Sequence, residues 1–166
     1  MTPKDFKAKY FTEAKNSEYT TGIDAYFTLA QAAVESGWGE HAPGFAFFGI
    51  KDTDGINGNE QLITTTEYSK RSDLKFERLL HMEPVEIKGE KFFRYTIQSY
   101  FRKYNSAEES FKDHARFFLE NSRYAQALLH KSDPDAFTDA IAAAGYATGP
   151  NYASTIKSII HSLKNI

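Results

Sequence analysis

Glu35 ends the run Leu29-Ala30-Gln31-Ala32-Ala33-Val34, and Ser36-Gly37-Trp38-Gly39 and the rings of Phe45, Phe47 and Phe48 follow it. A carboxylic acid at the C-terminal end of a helix faces the negative pole of the helix dipole. Neighbouring rings strip water from it. Both effects disfavour the anion, raise the pKa and suit the group to donate a proton near neutral pH. The position alone fits a solvated glutamate on a wet helix face equally well. Hydrolysing a glycosidic bond takes a second carboxylate facing the first. Glu67, in Thr65-Thr66-Glu67-Tyr68, stands at the end of an expected strand, where a side chain can overhang a groove. Glu60, Asp52 and Asp54 on nearby loops are its rivals. Tyr146, in Gly145-Tyr146-Ala147-Thr148-Gly149-Pro150, follows a helix stop. Its hydroxyl can point into a cleft, or its ring can pin two helices together.

Other chemistries find less support. The stretch Asp52-Thr53-Asp54-Gly55-Ile56-Asn57-Gly58 resembles an acidic calcium loop but lacks the full spacing and the terminal glutamate. The five histidines are scattered without His-Glu-x-x-His, and His114 reads as a packed or surface residue rather than a base. Gly-x-Ser-x-Gly, the P-loop and Gly-x-Gly-x-x-Gly are all missing. The expectation is an enzyme with no metal and no cofactor.

The elements that must position these groups are mostly helical. Thr2-Pro3 with Asp5 starts a helix, and a second is expected from about Thr21 to Ser36, with Ile23, Tyr26, Ala30, Ala33 and Val34 on its inner face and Gly37 as its stop. Loops fill the span from Ala42 to Glu60. Leu62 to Thr66 reads as a strand, and Val85 to Lys88 and Lys91 to Ile97 as hairpin arms around Gly89-Glu90. Ser106 to Glu109 is a capping box opening a helix that carries Phe111, Ala115, Phe118 and Leu119. Another helix begins at Asp133-Pro134 and ends at Ala144-Gly145. Pro150 opens the last, with Tyr152, Ile156, Ile159, Ile160 and Leu163 inward. The expected fold is α+β and mostly α: a single helical domain over residues 1–166, carrying a small antiparallel β-lobe at roughly 60–100, with a cleft between them.

Bulk properties agree. The chain has 166 residues, enough for one full core. Aromatics make up 15%, with ten Tyr and fourteen Phe, rings suited to packing and to stacking on sugars. A net charge of -2 gives no electrostatic case for nucleic acid or an anionic membrane, and no stretch is apolar enough to span a bilayer. The absence of cysteine excludes disulfides and thiolate metal sites, without fixing a compartment.

At "LAQAAVESGWGEHAPGFAFFGIK" the sequence closely resembles the glucosaminidase domain of glycoside hydrolase family 73, bacterial enzymes that cut peptidoglycan. The resemblance continues through "TTTEYS", "SYFRKYNSAEESFKDHARFFL", "NSRYAQAL" and "AAAGYATGPNYASTI", nearly the whole chain. It implies a lysozyme-like fold and cleavage of the β-1,4 bond after N-acetylglucosamine in glycan strands. Carried over by motif, Glu35 is the general acid, Glu67 the second carboxylate and Tyr146 the tyrosine near the reacting sugar. Phe48 and Lys51 match the segment lining the site, and Tyr68 and Tyr124 fall in matching segments as substrate-binding positions; Trp38 is read as core beneath Glu35. The chain departs from many relatives at Gly44-Phe45-Ala46-Phe47-Phe48, where they carry asparagines, and at Gly149, where they carry Asp. A muramidase or lytic transglycosylase on the same fold, or a non-catalytic wall-binding module, are the alternatives. The N-terminal residues Met1 to Lys9 show no signal-peptide pattern. The expected setting is therefore a monomeric phage lysin, or a secreted antibacterial effector paired with an immunity protein. Made in the cytoplasm, it would act on the wall after release or specialised secretion.

Overall fold

Thr2 accepts a hydrogen bond from the Asp5 backbone N–H at 3.2 Å and, with Pro3 in the first turn, starts α1, Pro3–Thr21. Gly22, at φ 76, ends it. Asp24 then starts α2, Ala25–Ser36, accepting from the N–H groups of Tyr26 at 2.8 Å and Phe27 at 3.2 Å. The expected start at Thr21 is thus corrected. A left-handed glycine and a capping aspartate lie between two helices where the apolar pattern reads as continuous. This computed structural model describes residues 1–147 and 149–166; Thr148 of the Gly-Tyr-Ala-Thr motif lies outside them.

The strands are β1, Glu60–Ser69, β2, Leu79–Ile87, and β3, Glu90–Arg102, in the antiparallel order β1-β3-β2. Lys88 and Gly89, at φ 50 and 80, form the two-residue hairpin, one position earlier than expected. β2 begins six residues before Val85, because Leu79 to Pro84 has no alternation for the eye to follow. The remaining helices are α3, Ala107–Glu120, capped by Ser106, α4, Pro134–Ala143, capped by Asp133, and α5, Tyr152–Lys164.

The chain divides into two compact units, one of residues Met1–Gly49 with Tyr104–Ile166 and one of Ile50–Lys103. The β-lobe is therefore longer at both ends than the expected 60–100. In the helical unit α2 is the buried hub: Phe27, Leu29, Ala30, Ala32 and Ala33 are at most 1% exposed. The Phe27 ring centroid lies 4.7 Å from that of Phe137 and 5.9 Å from that of Phe118. A helix wrapped on most sides has no single inner face. Val34, expected inward, is 40% exposed. On α5 Ile156, Ile160 and Leu163 are buried as their spacing predicts, with Tyr152 and Ile159 half-buried. The lobe's own core is small. Tyr95 and Ile97 of the central strand are buried, with the Phe76 ring 5.2 Å from Tyr95. No helix among the described residues is long and apolar enough to cross a membrane.

The cap at Asp24 is under opposing demands. Burial raises its pKa, and the two backbone N–H groups pull it back down. Asp24→Asn keeps the acceptor oxygen and removes the desolvated charge, so its stability is expected within about 0.5 kcal/mol of the parent, while Asp24→Ala loses about 1 kcal/mol. Because ionisation is the disfavoured state in the fold, the Asn variant gains on the parent as pH rises through the Asp24 titration. Thermal melts across pH check both.

Candidate functional site

Glu35 occupies the last turn of α2, and that helix end is firmly fixed. Ser36, fully buried, donates to the Ala32 carbonyl at 2.5 Å and accepts from the Gly39 N–H at 2.8 Å. Gly37, at φ 57, closes the helix, and Trp38 follows in the same left-handed region at φ 59. That conformation costs a tryptophan about 1 kcal/mol. It is held by the Trp38 N–H on the Ala33 carbonyl at 2.8 Å and by the indole edge-on to Phe6 at 5.6 Å. Trp38, expected as core, is half-buried against it and anchors the chain just after Glu35.

By area Glu35 is exposed, yet its carboxyl is raised above the ordinary glutamate range by partial desolvation. Among the described residues it forms no ion pair that would counter this. The helix terminus pushes in the same direction. The Glu35 charge in turn raises the hydroxyls of Tyr146 and Tyr152, although their own burial is the larger cause.

Tyr146 is placed by Gly145, at φ 84, and by its own N–H on the Ile141 carbonyl at 3.0 Å. Its ring packs 5.3 Å from Phe118 and 5.5 Å from Tyr152, the first residue of α5. Tyr146 and Tyr152 line a concavity of about 650 Å³ with Val34, Pro150, Thr155 and Ile156. This mostly apolar wall with two phenols suits the ring face of a sugar. The packing reading of Tyr146 holds, since its ring lies between Phe118 and Tyr152, and the residue also lines this concavity.

Beneath these groups lies a set the motifs do not reveal. Gln31, one turn before Glu35 and 1% exposed, donates through its amide nitrogen to the Tyr152 hydroxyl. Its amide oxygen lies 2.7 Å from His114 Nε2. His114 is 5% exposed, and burial lowers its pKa to about 3, so the ring is neutral. Phe48 stacks on it at 3.7 Å and 11°. Phe48, expected to stack on a sugar, is half-buried and gives one face to that imidazole. Tyr124, also expected to bind substrate, is 2% exposed and packs against Phe118 at 5.2 Å and Tyr146 at 6.2 Å. It backs Tyr146 and presents almost no surface to a ligand. Tyr152 was legible only as an inward residue. Gln31 had one signal, a polar residue in an apolar run four positions before the acid.

The lobe holds the other expected residues. Glu67 pairs with Tyr95 across β1 and β3 and shares the sheet face of Tyr95, Ile97, Thr65 and Ile63, with its own carboxylate exposed at the end of that row. Tyr68 lies on the opposite face, 53% exposed, opposite Arg94, which pairs with Glu83. Lys51 is exposed beside β3 and lines a concavity of about 340 Å³ with Lys75, Phe76, Arg78 and Tyr100. The rival carboxylates hold their loop together. Asp54 accepts from the Ile56 N–H at 2.7 Å and the Asn59 amide at 2.9 Å, and Glu60 accepts from the Gly58 N–H at 2.6 Å. Among the described residues no group of three or more His, Asp or Glu could hold a metal ion.

The chain is similar to proteins of known kind along nearly its whole length. It is 32% identical to the peptidoglycan hydrolase FlgJ of Salmonella typhimurium over 97% of this chain and 46% of that protein. With the exo-glucosaminidase LytG of Bacillus subtilis it shares 32% identity over 80% of this chain and 42% of that protein. The chain thus spans about half the length of the curated relatives it matches. The structure superposes on a truncated glycoside hydrolase domain of Salmonella typhimurium FlgJ with a TM-score of 0.74, at 32% identity and 99% coverage of both chains. Against the catalytic domain of the autolysin Auto from Listeria monocytogenes the TM-score is 0.72, at 26% identity, covering 98% of this chain and 84% of that one. The family model described as mannosyl-glycoprotein endo-beta-N-acetylglucosaminidase matches residues 11–165. With an acid at a helix end, tyrosines beside it and this match from end to end, the chain belongs to that glucosaminidase family of glycoside hydrolases.

Proposed function

We propose that this chain hydrolyses peptidoglycan at the β-1,4 bond that follows N-acetylglucosamine, with Glu35 as the general acid. The observation that carries this is the Glu35 carboxyl, without an ion pair among the described residues, raised by desolvation at the end of α2 and neighboured by Tyr146 and Tyr152. Held protonated, it gives its proton to the glycosidic oxygen as the bond to the anomeric carbon breaks. Tyr146 and Tyr152 offer hydroxyls and ring faces to the sugar undergoing cleavage. The anomeric carbon then takes oxygen from water, either directly or after the substrate's own N-acetyl oxygen has attacked. Glu67 is the proposed second carboxylate, to activate that water or to steady the N-acetyl group. The family resemblance and its exposed place at the end of a strand row support this. Lys51, Phe48 and Tyr68 remain proposed substrate contacts on the same resemblance.

Mass spectrometry of digested peptidoglycan tests the bond. Fragments with reducing-end N-acetylglucosamine are expected, and reducing or anhydro-muramic ends would overturn the reading. Glu35→Gln is expected to lower kcat by about 10²–10⁴-fold, the usual reach of general acid catalysis. Its melting temperature at neutral pH should equal or exceed the parent's. The raised pKa means the ionised carboxylate is the state the fold disfavours, and this advantage fades as pH falls below the ordinary carboxylate range. In the parent, kcat should fall as pH rises through the Glu35 titration, at an inflection above that of a free glutamate. A limb at the free value would remove Glu35 from the role.

A further inference from the structure

Gln31 and His114 have no place in the steps above, yet they are the polar pair most deeply buried against the site tyrosines. We propose that they are positioning residues that fix the direction of hydrogen bonding at Tyr146 and Tyr152, leaving both hydroxyl hydrogens free to donate toward the substrate and Glu35. This rests on the reading of Glu35 as the acid.

An amide oxygen only accepts, so the 2.7 Å contact between Gln31 Oε1 and His114 Nε2 places the imidazole hydrogen on Nε2. With its oxygen occupied there, the Gln31 amide must turn its two N–H bonds toward the tyrosines. One donates to Tyr152, and the same amide works against the rise in the Tyr146 hydroxyl's pKa, as a donor facing that oxygen would. A phenol oxygen that accepts in this way keeps its own hydrogen for another partner. Were the amide reversed, each hydroxyl would spend that hydrogen on Gln31 and turn only lone pairs outward. The imidazole itself cannot rotate freely. Phe48 stacks on it at 3.7 Å, Phe117 lies parallel at 6.4 Å, and Phe118 meets it edge-on at 5.1 Å. Gln31 and Glu35 lie one helical turn apart, so the orienting amide sits beneath the acid. A buried ring that stays neutral well below neutral pH keeps the arrangement unchanged there.

Nitrogen-15 NMR of the intact chain tests the direction without reference to activity. His114 is expected as the neutral Nε2–H tautomer from about pH 5 to 8, and an Nδ1–H tautomer would overturn the proposal while leaving the role of Glu35 untouched. Kinetics test the consequence. His114→Phe preserves the stack but has no donor, and kcat should fall about tenfold or more, with KM within about twofold. His114→Gln, which again presents an N–H near the Nε2 position, should recover most of that loss. Parent-like kcat in a folded His114→Phe, or equal losses in both variants tracking their melting temperatures, would sink the idea. Should His114→Phe fail to fold, Gln31→Met takes its place, with the same fall in kcat expected and parent-like turnover as the refuting result. Absence of reducing-end N-acetylglucosamine from the parent's digest would instead be a failure of the proposed reaction.

Discussion

The burial of α2 is the constraint on which the rest depends. A helix whose side chains are covered almost all round cannot shift or rotate without disturbing the rings of Phe27, Phe118 and Phe137 together. The two polar groups it carries toward the tyrosines, Gln31 and Glu35, inherit that rigidity. Preorganisation of this kind lets a modest set of dipoles act on a transition state without reorganising at the moment of reaction. The lock at Ser36, Gly37 and Trp38 extends the same stiffness to the very end of the helix, where a carboxylate would otherwise fray into water.

Aromatic rings form the medium around this frame. Phe48, Phe117, Phe118, Tyr124 and Tyr146 make one continuous packing network around His114. Its polar atoms are few, and the His114 Nε2 meets the Gln31 amide oxygen at 2.7 Å. A histidine held in such surroundings gives up its acid–base chemistry and becomes a hydrogen-bonding strut. A glutamate at the edge of the same network, half in water, keeps its ability to titrate while its range moves. Burial therefore moves two titratable residues in different directions, lowering the His114 pKa and raising that of Glu35.

Much of this was legible in the residues. Capping patterns marked α1, α3 and α4, since Thr2, Ser106 and Asp133 act through local geometry that a short window contains. Alternation marked the first half of β3, and the position of Glu35 at a helix end with rings behind it pointed to the raised carboxyl pKa. Reading failed where tertiary surroundings decide. Val34 fits an inner face by spacing but lies at an open edge, because α2 is enclosed by several neighbours at unequal depth. Tyr124 and Tyr68 both fall in stretches that resemble the family, yet one is 2% and the other 53% exposed. The link from Gln31 to His114 spans 83 positions, beyond any local pattern.

The two chain ends of the lobe run side by side. Arg102 donates to the Ile50 carbonyl at 2.9 Å, Asp52 to Tyr100 at 3.0 Å and Lys103 to Asn59 at 2.7 Å, so the two ends of the excursion are stitched to each other. Packing α1 on α3 otherwise means closing a very long intervening segment, with the entropy loss that entails. With its ends joined, that segment acts as a short connector, and the helices flanking it are effectively near neighbours in the chain. Joining the ends of the excursion thus shortens the effective separation between the helices that flank it. It also makes the excursion a cassette whose outer reaches can lengthen or shrink across evolution at little cost to the helical core.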